Sequence, residues 1–241
     1  MKIFRLFALS LAILTVNQGW ADEDDVPTIN PSVIFVKANG EETDSAQYAG
    51  SAPITGRFYA NPENVGGYTA NYEWRFSKQG EEEPYLIRYD EDTEYTFNTS
   101  GAHTIVLYAT FVNGTDTVAY KEDYWVENQP FSIVISESRL EMPNAFSPNG
   151  DDINDVYKAK RGWQSLVEFH AAIYNRWGQK LFEWDNPDDG WDGTFHGSPV
   201  KQGVYFVEVK AKGSDGRHYH IRRDVNLLRG FTEHDGSTPT E

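Results

Sequence analysis

The densest group of side chains able to do chemistry is the loop 147–155, with the sequence Ser-Pro-Asn-Gly-Asp-Asp-Ile-Asn-Asp. Oxygen atoms at alternate positions are the ligands that a hard cation such as calcium prefers. Aligned with a calcium-binding loop, the ligands are Ser147, Asn149, Asp151, the carbonyl of Ile153, and Asp155. The alignment departs at Asp152, where glycine normally turns the chain, and at Lys158, where a bidentate glutamate normally closes the site.

The same loop has a second interpretation that needs no ion. Asn and Asp side chains accept hydrogen bonds from backbone N–H groups a few residues away, and so stabilise turns. In this interpretation Asp152 or Asn154 also caps a helical turn. A structural calcium ion is the single cofactor that the sequence suggests, and both interpretations stay open at this point.

Two further clusters have little capacity for catalysis. Asp188, Asp189 and Asp192 surround Trp191, but a glycosidase holds its two carboxyls about 5–9.5 Å apart across a groove, and these lie on one predicted turn. His218 and His220 alternate on a predicted strand without a third metal ligand. The chain has no cysteine and no nucleophile or phosphate-loop motif. We therefore expect no catalytic residues and no enzyme activity.

The first 21 residues are typical of a secretory signal peptide. Lys2 and Arg5 precede an apolar run at 6–16, and Gly19 and Ala21 place small residues before a cleavage site. The run is too short to span ~30 Å of hydrocarbon. No later window is comparably apolar, so we expect no transmembrane segment after cleavage. Residues 22–30 are predicted to be a flexible leader.

Charge divides the rest of the chain into two parts. Residues 22–137 contain 6 Lys and Arg against 21 Asp and Glu, whereas residues 138–230 contain 13 of each. This shift predicts a boundary between domains 31–137 and 138–230, followed by a flexible tail at 231–241. The acidic first domain argues against a nucleic-acid partner, because phosphates attract basic surfaces.

Hydrophobic patterning predicts an all-β fold of two tandem immunoglobulin-like β-sandwiches. Short apolar runs alternate with turn signals, and no helical period occurs. In the clearest run, Tyr72, Trp74 and Phe76 are expected to face one way. Asn113-Gly114 predicts a hairpin with positive φ at both positions. The predicted strands are 33–37, 56–60, 68–76, 85–89, 94–98, 103–111, 117–121, 124–127, 131–136, 167–174, 180–184, 203–212 and 218–228.

Five blocks of the second domain occur in an informative order and spacing. They are Pro143-Asn-Ala-Phe-Ser-Pro-Asn-Gly-Asp-Asp-Ile-Asn-Asp, Ile173-Tyr-Asn-Arg-Trp-Gly-Gln-Lys-Leu-Phe, Gly190-Trp-Asp-Gly-Thr-Phe-His-Gly, Gly203-Val-Tyr-Phe-Val-Glu-Val and Val225-Asn-Leu-Leu-Arg. Together they resemble the gliding-motility-associated C-terminal domain of Bacteroidota, also called the type B sorting domain of type IX secretion. The residues that match its motif are Pro143, Phe146, Asn149, Gly150, Asn154, Asp155, Asn175, Arg176, Trp177, Gly178, Trp191, Asp192, Gly193, Gly203 and Tyr205.

The first domain carries a second resemblance. Tyr72-Glu-Trp-Arg-Phe, then Tyr95-Thr-Phe and Ser100-Gly-Ala-His-Thr-Ile, resemble the polycystic-kidney-disease type of immunoglobulin-like domain, although the usual Gly-Asp-Gly after the tryptophan strand is missing. Ser45 and Thr117 follow an acid and precede a small or apolar residue, which is similar to the O-glycosylation acceptor of Bacteroidota.

These resemblances imply an exported, non-enzymatic protein of the cell surface, outer membrane or extracellular space. Its second domain would contact type IX translocon components or other envelope proteins, and its first domain would bind a surface glycan or protein or act as a spacer. Because the family domain ordinarily ends near its last strand, residues 231–241 leave an alternative open. The chain would then be a periplasmic or envelope adhesin or assembly subunit that is not sorted. A small glycan-active hydrolase is the remaining class.

Overall fold

The computed structural model describes residues 26–229. The predicted signal peptide and the tail 231–241 lie outside the described residues, as do residues 22–25 of the leader. Within the described part, Thr28–Ile29 form a strand and Ile29 is buried in the first core. The expectation of a flexible segment up to residue 30 is therefore wrong over these residues, because the apolar Ile29 side chain gains from burial.

In the first domain, eleven of the twelve strands precede the single described helix, and the twelfth follows it. Its elements are β1 (Thr28–Ile29), β2 (Ser32–Lys37), β3 (Glu42–Asp44), β4 (Gln47–Gly50), β5 (Ile54–Tyr59), β6 (Pro62–Glu63), β7 (Thr69–Lys78), β8 (Leu86–Arg88), β9 (Thr93–Phe97), β10 (Gly101–Asn113), β11 (Asp116–Tyr120), α1 (Glu122–Glu127) and β12 (Phe131–Ile135).

Two sheets form the first sandwich. One has the order β3-β2-β5-β9, and the other has the order β4-β12-β10-β7-β8, with β11 paired to β10. The predicted alternation in β7 is confirmed, since Tyr72, Trp74 and Phe76 are all buried. Phe58 reaches from the opposite sheet and meets Trp74 at a ring-centroid distance of 5.6 Å. Aromatic packing of this kind holds the sheets together in a chain without disulfides.

The segment predicted as a strand at 124–127 is a helix, so this prediction is wrong. Helix α1 begins at Glu122, and the two acids of its first turn suit the positive end of a helix. The buried Trp125 donates its indole N–H to the carbonyl of Leu107 at 2.8 Å. A six-residue helix is too short to show a 3.6-residue period, so the indole contact decides the conformation.

The Asn113-Gly114 hairpin is confirmed, but its geometry differs from the expectation. Asn113 ends β10 and pairs with Asp116, which leaves Gly114 and Thr115 as the loop. Gly114 has φ +60, whereas Asn113 is not in the left-handed region. A glycine with positive φ at the first loop position is the arrangement that type II′ hairpins use.

The second domain is a second β-structure with its own core. Its strands are β13 (Ala145–Phe146), β14 (Leu166–Tyr174), β15 (Lys180–Trp184), β16 (Thr194–Phe195), β17 (Ser198–Pro199), β18 (Gly203–Gly213) and β19 (His218–Leu227). The main sheet has the order β13-β19-β18-β14-β15, and β16 pairs with β17. Its strands β14, β15, β18 and β19 confirm the predicted strands from 167 onward, and β14 and β18 bury residues of the second core along most of their length. The molecule is thus an all-β protein of immunoglobulin-like sandwiches.

The two domains are joined by hydrogen bonds that centre on two buried serines, Ser165 and Ser214. The hydroxyl of Ser165, which is fully buried, accepts the backbone N–H of Ala52 at 3.2 Å and lies 2.7 Å from the hydroxyl of Ser136. Ser214 donates its hydroxyl to the carbonyl of Ser136 at 3.1 Å, and its own carbonyl accepts the N–H of Ser100. We call these five residues the serine joint. Within residues 26–229, no helix is long and apolar enough to cross a bilayer.

Candidate functional site

The loop 147–155 is closed by its own backbone. One oxygen of Asp155 accepts the N–H groups of Asn149 and Gly150, and the other accepts the N–H of Asp152, each at 2.8 Å. Asn149 and Asp151 make shorter-range turns by accepting the N–H groups two residues further along the chain. These bonds are those of the turn interpretation.

This geometry bears on the calcium prediction. Bonds from Gly150, Asp152 and Asn149 hold the pKa of the Asp155 carboxyl below its usual value, because they stabilise the charged form. Both of its oxygens therefore face N–H donors, which a cation would have to displace. The two oxygens of Asp151 likewise accept the N–H of Ile153 and the side-chain amide of Asn149. In this conformation the predicted carboxylate ligands do not fit a calcium ion, and we derive no step through one.

The backbone of the loop explains its composition. Gly150, Asp152 and Asn154 have φ of +82, +63 and +54. Asn and Asp tolerate this left-handed region better than most residues, which explains how Asp152 takes the turn position that glycine has in a calcium-binding loop. No helix follows at 156–165. The expected helix cap at Asp152 or Asn154 is therefore wrong, since both residues serve the turns instead.

Trp191 and its neighbours form the second motif. The indole is fully buried and donates to the carbonyl of Thr194 at 2.7 Å. Asp192 accepts both the N–H and the hydroxyl of Thr194, at 2.9 and 2.7 Å. Gly193 follows with φ +78 in a space bounded by the side chains of neighbouring loops. The motif thus makes a tight turn around a core indole.

An aromatic cluster connects three of the motif blocks. Its ring-centroid distances are 5.4 Å for Phe146 and Trp191, 5.0 Å for Trp191 and Tyr205, and 5.7 Å for Phe146 and Tyr157. The hydroxyl of Tyr157 donates to the carbonyl of Pro143 at 3.0 Å, and burial raises the pKa of that phenol. Gly203 begins β18 with φ +152, next to Tyr205 on the same strand.

The Arg229 side chain forms hydrogen bonds with three segments of the second domain and so connects its motif loops. Its guanidinium donates to the carbonyls of Gly193, Val200 and Pro148 at 2.8, 3.1 and 3.3 Å. Arg229 is the last residue of the fifth motif block, but the sequence predicts no role for it. Its acceptors are backbone carbonyls, which every residue carries, so the sequence contains no signal for these partners.

One motif block is presented to solvent. We call residues 175–179 the Trp177 turn. The side-chain carbonyl of Asn175 accepts the N–H groups of Trp177 and Gln179 at 3.0 and 3.1 Å, and Gly178 has φ +80. Asn175 and Gly178 therefore build the turn. Trp177 is 81% exposed, and the guanidinium of Arg176 lies 5.3 Å from its ring centroid.

The side chains considered for catalysis or metal binding form hydrogen bonds elsewhere or lie on an exposed strand face. Asp188 accepts the indole N–H of Trp163 at 3.0 Å. His218 and His220 lie on the exposed face of β19, where His220 is 3.1 Å from Glu208. In residues 26–229, no group of three or more His, Asp or Glu side chains could hold a metal ion.

The glycosylation candidates lie in a strand and in a short connection of the first domain. Thr117 is exposed in β11, directly after the hairpin loop. Ser45 is half-buried between β3 and β4, and its hydroxyl accepts the N–H of Gln47 at 3.2 Å. Thr117 is thus the more accessible of the two, and glycosylation of either stays a prediction.

The fold and this site define a class of protein, an all-β chain of two immunoglobulin-like units. In the second unit the motif loops meet at one end, and the Trp177 turn is exposed to solvent. Residues 140–221 match the family model of the CHU_C type IX secretion signal domain. The sequence-based recognition of a type IX sorting domain is therefore confirmed for this part of the chain.

Two other comparisons complete the findings. A similar solved structure is the crystal structure of dimeric latent PorU from Porphyromonas gingivalis, at 12% identity and a TM-score of 0.26, over 86% of this chain and 21% of that chain. The chain thus spans about a fifth of that structure's length. No curated protein matches the sequence.

Proposed function

We propose that this chain is an exported, non-enzymatic protein that the type IX secretion system delivers to the cell surface, with the second domain as its sorting signal. The observation that carries the proposal is the match of residues 140–221 to the type IX secretion signal domain. In this proposal residues 1–21 direct export across the inner membrane, and the folded second domain is recognised at the outer membrane. Gliding motility is one process that such a surface protein serves.

The structural roles of the motif residues in the second domain support the proposal that a partner recognises its folded surface. Most of its motif residues hold loops or the core, as Asp155, Trp191 and Gly193 do. Loops fixed in this way present a constant shape to a partner, and loops on a rigid scaffold commonly carry recognition.

For the first domain we propose a binding or spacer module of the polycystic-kidney-disease type. Its acidic composition favours a ligand with basic or neutral groups, a surface glycan or protein, over nucleic acid. The loops 61–67 and 77–84 at the rim of this sandwich are the regions that we would test first. A non-enzymatic role agrees with the engagement of the Asp188 and Asp192 carboxylates in local hydrogen bonds.

A reporter fusion tests whether the chain carries sorting information. A reporter with its own export signal is placed before residues 22–241, and in a second fusion before residues 22–229. Both domains are kept so that the serine joint stays intact. We expect surface display of the first fusion in a host with a working type IX system. Loss of display in the second alone would assign a role to the tail, and display of neither would end the sorting proposal in favour of a retained envelope adhesin.

A further inference from the structure

The Trp177 turn exposes a large apolar side chain that folding does not require. A buried tryptophan removes roughly 150–250 Å² of surface from water, yet Trp177 is 81% exposed. The turn is held without it, because Asn175 accepts two backbone N–H groups and donates its amide to Gln179 at 2.9 Å. The indole is therefore free to make contacts outside the domain from a fixed backbone.

Two cations without a carboxylate partner flank this indole. The guanidinium of Arg176 lies over the Trp177 ring, and Lys201 lines the same groove of 360 Å³ as both of them. Among residues 26–229, neither forms an ion pair within 4.0 Å, whereas Lys180, Lys210, Lys212 and Arg222 all do. Other cations of the described residues share this property, but they do not line this groove; Arg161, for example, lines a different one. The Trp177 turn is thus a locally basic site in a chain of net charge −16.

Part of the wall of the groove is apolar. Leu181, Phe195 and Val204 line it, and Val204 is 47% exposed. An exposed indole, an unpaired guanidinium and an adjoining apolar wall combine the residue types that contribute most to protein interfaces. Because the turn is already ordered, binding through it loses little conformational entropy.

We propose that the Trp177 turn and Lys201 form the face by which the second domain binds a protein partner, and that this partner offers an apolar pocket for the indole with carboxylates at its rim. Charge complementarity selects this chemistry, since two unpaired cations flank the indole. The inference rests on the proposed function, in which the partner belongs to the secretion machinery.

The test uses the full chain in a host with a working type IX system. We compare the wild type with Trp177→Ala and with the double variant Arg176→Glu/Lys201→Glu. Tyr89→Ala removes a 70% exposed aromatic ring from the first domain, and Arg161→Glu reverses a cation that lies outside the groove and forms no ion pair among the described residues, so these are the matched controls. The surface fraction is measured by protease accessibility on intact cells, and the melting temperature of each purified protein is measured in parallel.

We expect both test variants to lose at least about fivefold in surface fraction, as an affinity loss of ~1 kcal/mol implies, and to accumulate in the periplasm. Melting temperatures and both controls should match the wild type. Unchanged sorting of both test variants overturns the inference but not the proposed function, provided that the wild type needs the translocon. Normal crossing followed by release into the medium also overturns it, and indicates a surface ligand such as a glycan. A wild type that never reaches the surface overturns the proposed function itself.

Discussion

The hydroxyl of Ser165 in the second domain lies 2.7 Å from the hydroxyl of Ser136, at the end of the first. The same Ser165 oxygen accepts the N–H of Ala52, so one buried side chain connects two segments of the first domain to β14. The partly buried Val167 of β14 also packs against the first core. These contacts give the sorting domain a defined attachment to the domain that it accompanies.

Removing the Ser165 hydroxyl should weaken this attachment. In Ser165→Ala the N–H of Ala52 loses its partner in a buried site, and an unsatisfied buried donor costs about 1–3 kcal/mol. We expect the free energy of unfolding of the whole chain to fall by this amount in chemical denaturation. Ser198→Ala, at an exposed serine of β17, is the matched control and should change little. Equal stability of the two variants would mean that the joint does not contribute.

Arg229 should stabilise the end of the second domain where its motif loops meet. Arg229→Met removes donors to three carbonyls, and hydrogen bonds to charged groups contribute about 1.5–3 kcal/mol each. Partial replacement by water makes a total loss of about 2–3 kcal/mol the expected result in denaturant unfolding. Arg161→Met, which lacks such partners among the described residues, should cost little. A variant as stable as the wild type would show that the guanidinium does not hold the loops.

Asp155 should make stability depend on pH in the acid range. Its folded pKa is lowered by N–H donors, so its contribution is present above the unfolded pKa of about 3.9 and is lost as the pH falls through the folded pKa. Asp155→Asn should be less stable than the wild type at neutral pH, and the difference should shrink below about pH 4. Asp224→Asn, at an exposed position of β19, is the control. A difference between wild type and Asp155→Asn that stays constant from pH 7 to pH 2.5 would contradict this account.

Calcium should not stabilise the loop 147–155. The two oxygens of Asp155 accept three N–H groups, and those of Asp151 accept the N–H of Ile153 and the side-chain amide of Asn149, so both predicted carboxylate ligands already face donors. We therefore expect equal melting temperatures in chelator and in millimolar calcium, because an ion that does not bind the native state cannot shift its stability. A reproducible rise with calcium that disappears in Asp151→Asn would restore the calcium site.

The sequence predicted the strands and turns whose conformation is set by residues close together in the chain. Alternation placed β7 and its buried Trp74 correctly, and Asx spacing predicted the turns that Asp155 and Asn149 make, since these bonds join residues at most six apart. Motif order identified the second domain before its fold was known.

The features that the sequence did not predict are contacts between residues far apart in the chain and one element that a single contact fixes. Ser165 meets Ala52 across 113 positions, and serines carry no hydrophobic pattern that predicts such a meeting. Helix α1 was missed because one buried indole, Trp125, fixes a segment too short to show a period. The exposure of Trp177 was also not predictable, since its motif partners are mostly buried or half-buried and a tryptophan in a motif suggests a core position.

The most direct measurement is the location of the full chain in two otherwise identical hosts, one with a working type IX translocon and one without. Protease added to intact cells digests only protein at the surface, and fractionation reports the periplasmic pool. The account predicts digestion in the first host, and protected, periplasmic protein in the second. The same location in both hosts, whether surface or periplasm, would contradict it.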